Sequence, residues 1–456
     1  MSDPSRDERG QEASHPLLPV LRLAAPVEGR EVSALLWAFF ANFCLLGAWY
    51  SMRPLRETFG VRAGEGLANL FAGTFVSSLI FLPIYLALVT RFGRRALAPI
   101  FYHGSAACLL VFWLLFMRLD ESGDELVGKI FFVWLSTYVL FAGSLFWSLL
   151  VDLHSSDEAK RLFGLIFAGG TAGGLVSSAV VGLVVGSIGT THIFWIPIVL
   201  LELLVLCLWR LDATIRRQSR ADESGEQEKA REAAPVGGNP LEGLKQVLRS
   251  PYLAGICAYM FFATFAGTVL YFEQKDIVRA TVESDEARTA LFSWMNFAVQ
   301  SLTVVGQAFL TGRLIRRFGL VVGLVLLPLL YAGGLLVLGA AAVLPVIVVL
   351  QVLRRSMGYA IAKPSKEILF TVVGRDAKYK SKGFIDTVVY RGGDAISGFS
   401  YDGLRALGMS LSGVAFAAVP ICLLWAALCV RLGRKQEQLA DEQARAAAEP
   451  AAPASV

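Results

Sequence analysis

Six predominantly apolar stretches of about 20 residues, near 32–52, 67–90, 98–117, 126–152, 163–185 and 191–210, are followed by a polar gap. Six more follow it, near 252–272, 290–312, 319–339, 341–361, 383–407 and 409–431. About 20 apolar residues in a helix span a hydrocarbon core, and no open strand can do so without leaving its amides unpaired. The pattern predicts an all-α polytopic membrane protein with 12 transmembrane helices. Composition agrees: 55% of the residues are hydrophobic and 17% charged, against about 25% charged in soluble chains. A soluble enzyme, a nucleic-acid-binding protein and a disordered chain all need a polar skin that this chain lacks.

The two sets of six predict an N-terminal bundle over 32–210 and a C-terminal bundle over 251–431, joined by a linker at 211–250. The linker holds RRQSR, mixed Glu and Lys, then AAPVGGNPLEG, with room for one short interfacial helix. Residues 1–31 carry mixed charge and no apolar h-region, and 432–456 are polar and then Ala/Pro-rich, so both read as disordered tails rather than targeting segments. With the N-terminus inside, the inner loops carry 19 Lys and Arg against 8 in the outer loops. That places both termini in the cytoplasm; the membrane is taken to be a bacterial inner membrane, crossed many times. The cysteines Cys44, Cys108, Cys207, Cys257, Cys422 and Cys429 sit inside apolar runs without metal or redox spacing, and read as small hydrophobes. No metal and no cofactor is expected.

The halves echo one another. Arg91-Phe92-Gly93-Arg94-Arg95 follows the second run, and Arg316-Arg317-Phe318-Gly319 follows the eighth, with the Phe-Gly pairs 226 residues apart. The fifth run reaches Gly169-Gly170 and the eleventh reaches Gly392-Gly393, at nearly the same offset. Parallel repeats of six helices, related by an axis along the membrane normal, fit this pattern. Here the chain resembles the major facilitator superfamily, through RFGRR and its echo RRFG; Thr90 stands where that family usually has an acid before the first turn. The resemblance implies a carrier working by alternating access, the two halves rocking around a midplane site.

Charges inside membrane helices cost roughly 2.5–3.5 kcal/mol each on insertion scales, so each needs a reason. The first run ends on Tyr50, Arg53, Arg56 and Glu57, with Pro54 expected to kink it. These groups read as a pathway face or as arginines snorkelling to headgroups. Asp152 closes the fourth run as a gate, a counter-ion or a hydrated helix end. Glu202, in IPIVLLELLVLCLW, has the most apolar surroundings of any charge and is a proton-coupling candidate or a carboxyl bonded to a neighbouring helix. The seventh run ends on Glu273 and Lys275. The tenth carries Arg354, Lys363, Lys366 and Glu367, and the eleventh Asp386, Tyr390, Arg391 and Asp394. Arg391 and Asp394, three apart, can pair on one face, as a structural lock or as a switchable partner. So many interior cations point to an anionic or zwitterionic substrate, because Arg holds carboxylate or phosphate through two parallel hydrogen bonds.

Three segments are similar to the ATP:ADP antiporters of plastids and intracellular bacteria. RPLRE (Arg53 to Glu57) matches an R-x-x-K-D pattern, with Arg56 in the lysine place. Phe146 to Gly170 is similar to the F-W…E…A-K-R…G segment, with Asp152 where that family has glutamate. Lys363 to Gly398 is similar to P-T-K-E…K-x-K-G-x-x-D…R-x-G-x-x-x-G, placing Lys366, Glu367, Lys382, Asp386, Arg391 and Gly398 on matching positions. The resemblance implies exchange of nucleotides or other phosphorylated solutes. The residues alone support an anion-accepting secondary carrier, taken to be a monomer in contact with membrane lipid. A proton-coupled carrier of another amphiphilic solute is the alternative. An enzyme is not expected: there is no G-x-x-x-x-G-K-[ST] loop, and His15, His103, His154 and His192 are scattered.

Overall fold

The computed structural model describes residues 26–154, 156–221, 240–374, 377, 381–382 and 384–448, together with 18, 19 and 22. Among them the regular structure is entirely helical. The helices are α1 (Val32–Ala63), α2 (Leu67–Phe92), α3 (Arg94–Arg118), α4 (Glu121–Leu153), α5 (Ser156–Ile188) and α6 (Trp195–Ala221). After the linker come α7 (Pro251–Thr281), α8 (Asp285–Val305), α9 (Gly312–Ala340), α10 (Leu344–Met357), α11 (Lys363–Leu369), α12 (Tyr390–Ala406) and α13 (Leu411–Ala448).

Ten of the described helical stretches are long and apolar enough to cross a membrane. One of them, Asp285–Ala340, has 56 residues, about 80 Å at 1.5 Å per residue, far more than one crossing needs. Gly319 resolves this: with φ at 79° it turns the chain inside that stretch, so two apolar runs are joined there. Gly93, between α2 and α3, does the same with φ at 71°. Both Phe-Gly pairs of the repeat therefore carry a left-handed turn that a side chain would resist. Tyr390–Ala406 is not among the ten, being short and carrying Arg391, Asp394, Asp402 and Arg405.

Chain contacts divide the molecule into two compact units. The first comprises Met1–Phe59, Ser77–Pro235 and Ser284–Phe297; the second comprises Gly60–Val76, Val236–Glu283 and Ala298–Val456. In the first, an aromatic core joins α1, α3 and α4: Phe59 stacks on Phe116 at 5.0 Å, and Phe131 meets Phe59, Phe112 and Phe194 edge-on. α5 lies close on α1 because Gly173 has no side chain; a Cβ there would collide with the Phe43 carbonyl. Asp120 caps α4, accepting from the Gly123 amide and the Ser122 hydroxyl, each at 3.0 Å. Those two donors hold its carboxyl below the usual aspartate range.

In the second unit, Phe71 packs on Tyr271 and Phe272, each at 5.5 Å, and Trp425 sits against Tyr259 and Tyr331. Among the described residues, three π-helical turns interrupt its helices: Gly306–Thr311, Gly358–Ala362 and Ile385–Val389. Two of them pack together, the Thr311 hydroxyl donating to the Ala360 carbonyl at 2.7 Å. Such turns are frequent at functional sites.

Helical structure runs past two of the expected boundaries. The polar segment from 432 is not an irregular tail, since α13 continues helically to Ala448. Its Ala, Glu, Gln, Lys and Arg are good helix formers, so leaving the apolar run does not end the helix. α6 likewise runs past 210 to Ala221, and Pro240–Arg249 is the short helix for which the linker left room. Residues 222–239, 449–456 and most of 1–25 lie outside the described residues. Of the cysteines, Cys44, Cys207, Cys422 and Cys429 are buried and Cys257 is partly so, but Cys108 is exposed.

Candidate functional site

In the first unit the charged face of α1 is built around Glu57, which is buried. Arg56 lies 3.3 Å and Arg53 3.8 Å from its carboxylate. Arg56 is further fixed by α4: its Nε donates to the Ser136 hydroxyl at 2.7 Å, and its guanidinium sits 3.9 Å from the Phe132 ring centre. Tyr50, two turns earlier, is buried. α1 continues through Pro54 to Ala63 as one helix. The arginines are thus oriented inward by specific partners on their own and a neighbouring helix, with about one-sixth of each side chain exposed (17% and 15%).

Asp152 stands elsewhere in this unit. It receives Nη1 of Arg94 on both oxygens, each at 2.7 Å, and so ties the Phe-Gly turn to the end of α4. Arg95 adds a longer contact of 3.7 Å to Asp212 on α6. Glu202 pairs with His103 of α3 at 2.8 Å, and both side chains are about half exposed (47% and 53%). Glu202 thus lies on the outward face of α6, although Leu201, Leu204, Val205 and Leu208 around it are buried.

The second unit gathers more of the candidates. Arg354 on α10 donates from Nη1 to the Tyr331 hydroxyl of α9 at 2.6 Å and from Nε to the Gln351 side chain at 3.0 Å. Gln351 in turn donates to the Leu270 carbonyl of α7 at 3.1 Å. Beside it, Thr268 of α7 donates to Asp394 of α12 at 3.1 Å, and Arg391 lies 3.9 Å from the same carboxylate. Tyr331 is within electrostatic reach of both Arg354 and Asp394, and Tyr390 within reach of Arg354, Arg391 and Asp394. α7, α9, α10 and α12 thus bring one polar cluster together. Arg354 has no carboxylate partner among the described residues; its two ligands are neutral.

A second cluster joins α11 to the chain before α12. Lys366 reaches Asp386 at 3.2 Å, and Lys382 reaches Glu367 at 2.6 Å. Asp386 lies in the π-helical turn Ile385–Val389, which displaces the register and presents its carboxylate to α11. Lys363, one turn before Glu367, is exposed. On α7, Lys275 is buried with its ammonium 4.6 Å from the Tyr271 ring centre. Glu273 is fully buried, and neither carboxyl oxygen has a hydrogen-bond partner. Near it are Asp276 and Arg405, and Tyr401, whose hydroxyl donates to Asp276 at 2.8 Å.

Residue reasoning did not single out Tyr331, Gln351, Thr268 or Ser136. Each is one polar atom in an apolar helix, and only Gln351, one turn before Arg354, carries a spacing that could have marked it. No group of residues able to hold a metal ion occurs among the described residues.

Residues 32–373 match the family model of the Major Facilitator Superfamily. The chain is 22% identical to "ADP,ATP carrier protein 1" of Chlamydia muridarum, over 98% of each chain, and 21% identical to the protein of the same name from Chlamydia pneumoniae, over 94% and 96%. Solved structures share the fold. A POT family transporter, PepTSo, aligns with a TM-score of 0.60 at 14% identity, covering 89% of this chain and 98% of that one. The nucleoside transporter NupG aligns with a TM-score of 0.56 at 14% identity, over 89% and 99%.

Proposed function

Since this chain belongs to the Major Facilitator Superfamily, and so is a multi-pass membrane transporter rather than an enzyme, we propose that it is a secondary carrier of a small anion. The reading is exchange of adenine nucleotides or related phosphorylated solutes by alternating access, in a bacterial inner membrane with both termini inside. The observation that carries it is Arg354: a guanidinium in a membrane-spanning stretch, held by a phenol and an amide instead of a carboxylate. A cation left without a counter-ion in such surroundings is costly, and a carboxylate or phosphate ligand supplies one.

Lys366 and Lys382 carry the same logic in a switchable form. Each is paired with an acid on the neighbouring segment. An anion that displaces one acid exchanges one ion pair for another, which keeps the difference between the empty and loaded states small. The full-length likeness to the chlamydial ADP,ATP carriers supports nucleotides among the anions.

The test is counter-exchange in proteoliposomes. Labelled ATP enters vesicles preloaded with ADP and does not enter empty vesicles, whatever the pH gradient. Uptake confined to neutral sugars overturns the reading. A second reading, proton-coupled uptake, is favoured by Glu273 alone, a buried carboxyl without a hydrogen-bond partner. It predicts uptake into empty vesicles that stops when the pH gradient is collapsed.

A further inference from the structure

At the linker end of the second unit a crevice of ≈ 630 Å³ opens between α7 and α13. Its apolar lining includes Leu253 of α7, Val373 after α11, and Leu428 and Leu432 of α13. Its polar lining includes Arg431 and Lys435, one turn apart on α13 and both exposed. The depth of these residues follows from the sequence. From Leu411 to Val430 α13 carries no charge, a length of about 30 Å at 1.5 Å per residue, which matches a hydrocarbon core. Arg431 is the first charge after that stretch and so stands where hydrocarbon gives way to headgroups. α7 has the same boundary at Ser250-Pro251, preceded by Arg249. The crevice therefore straddles the interface, with Leu253 and Leu428 on the hydrocarbon side and two cations at headgroup depth.

Two further observations point to an anionic occupant with a hydrocarbon tail. Neither Arg431 nor Lys435 has an acidic partner among the described residues, so the local charge is uncompensated. The short helix Pro240–Arg249, whose Gln246 also lines the crevice, leaves Leu248 76% exposed between Lys245 and Arg249. An exposed leucine flanked by basic residues belongs to a helix lying in the headgroup layer. We infer that the crevice seats an anionic phospholipid, its phosphate on Arg431 and Lys435 and one acyl chain along Leu253, Leu428 and Leu432. Basic pockets between membrane helices recognise such headgroups electrostatically, and the apolar lining makes a free phosphate a poor occupant.

Native mass spectrometry of the full chain, released from micelles containing equal amounts of phosphatidylglycerol and phosphatidylcholine, tests this. The wild-type protein retains phosphatidylglycerol in about tenfold excess, and the double variant Arg431→Gln/Lys435→Gln loses that excess. Excess glycerol phosphate, the headgroup without its chains, does not displace the lipid. Equal retention of both lipids overturns the proposal, as does an unchanged preference in the double variant or displacement by glycerol phosphate. Both substituted side chains are exposed, and a thermal melt of the variant confirms that its fold is kept before the lipid ratio is compared.

Discussion

The two units treat their interior cations differently. In the first, the arginines described lie against carboxylates: Arg53 and Arg56 converge on Glu57, and Arg94 spans both oxygens of Asp152. In the second, Arg391 also lies near a carboxylate, that of Asp394, but Arg354 is held by Tyr331 and Gln351, which orient it without neutralising it. The difference separates two uses of one residue type. An arginine on a carboxylate has its charge met within the protein, as where Arg94 ties α3 to α4, and removing either member strands the other. An arginine on neutral ligands is positioned with its charge unspent, and is the better place for an incoming anion. Lys366 and Lys382 stand between these cases, paired to acids yet part-exposed.

The largest effect is expected at Arg354. Arg354→Gln removes a charged donor that accepts no substitute, and weakens anion binding by about 2–3 kcal/mol, on the order of 100-fold in Kd, while the melting temperature changes little. Isothermal titration with ADP measures it. Arg354→Lys keeps the charge but not the planar fork, and should fall between the two.

Asp152→Asn breaks the comparison from the other side. It costs about 1–2 kcal/mol of stability, since the pair is roughly one-third exposed, and leaves anion affinity within about twofold of wild type. Thermal unfolding and titration on one sample separate the two outcomes. Tyr331→Phe sharpens the picture at Arg354: it deletes one hydrogen bond without deleting charge, and should weaken anion binding by about 1 kcal/mol, close to fivefold. The smallest effect is the coupling between Lys366→Ala and Asp386→Ala. A double-mutant cycle on stability should return about 0.5 kcal/mol, as for other part-exposed pairs.

Much of this molecule could be read before its coordinates. The apolar runs located the helices because hydrocarbon imposes their length, and the Phe-Gly pairs located two left-handed turns because few residues other than glycine tolerate that backbone. The segment similar to ATP:ADP antiporters named Lys366, Glu367, Lys382 and Asp386, which meet in two ion pairs. What escaped has physical reasons. Hydropathy around Glu202 describes a helix, not which face meets protein, so a bond to a neighbouring helix was legible as one reading but the outward face and the partner His103 were not. Asp152 was legible as a counter-ion from its place at the end of the fourth run, but its partner, Arg94, lies 58 residues away in sequence and was not. Tyr331 is one hydroxyl in LLPLLYAGG, where nothing periodic marks it.

The central claim is that Arg354 keeps its positive charge for a substrate anion. Its most direct test is thermal stabilisation of the purified protein by ADP, compared between wild type and Arg354→Gln at matched ionic strength. The account predicts a rise in melting temperature for wild type that is lost in the variant, with neutral sugars inactive on both. Equal stabilisation of the two proteins by ADP would contradict it.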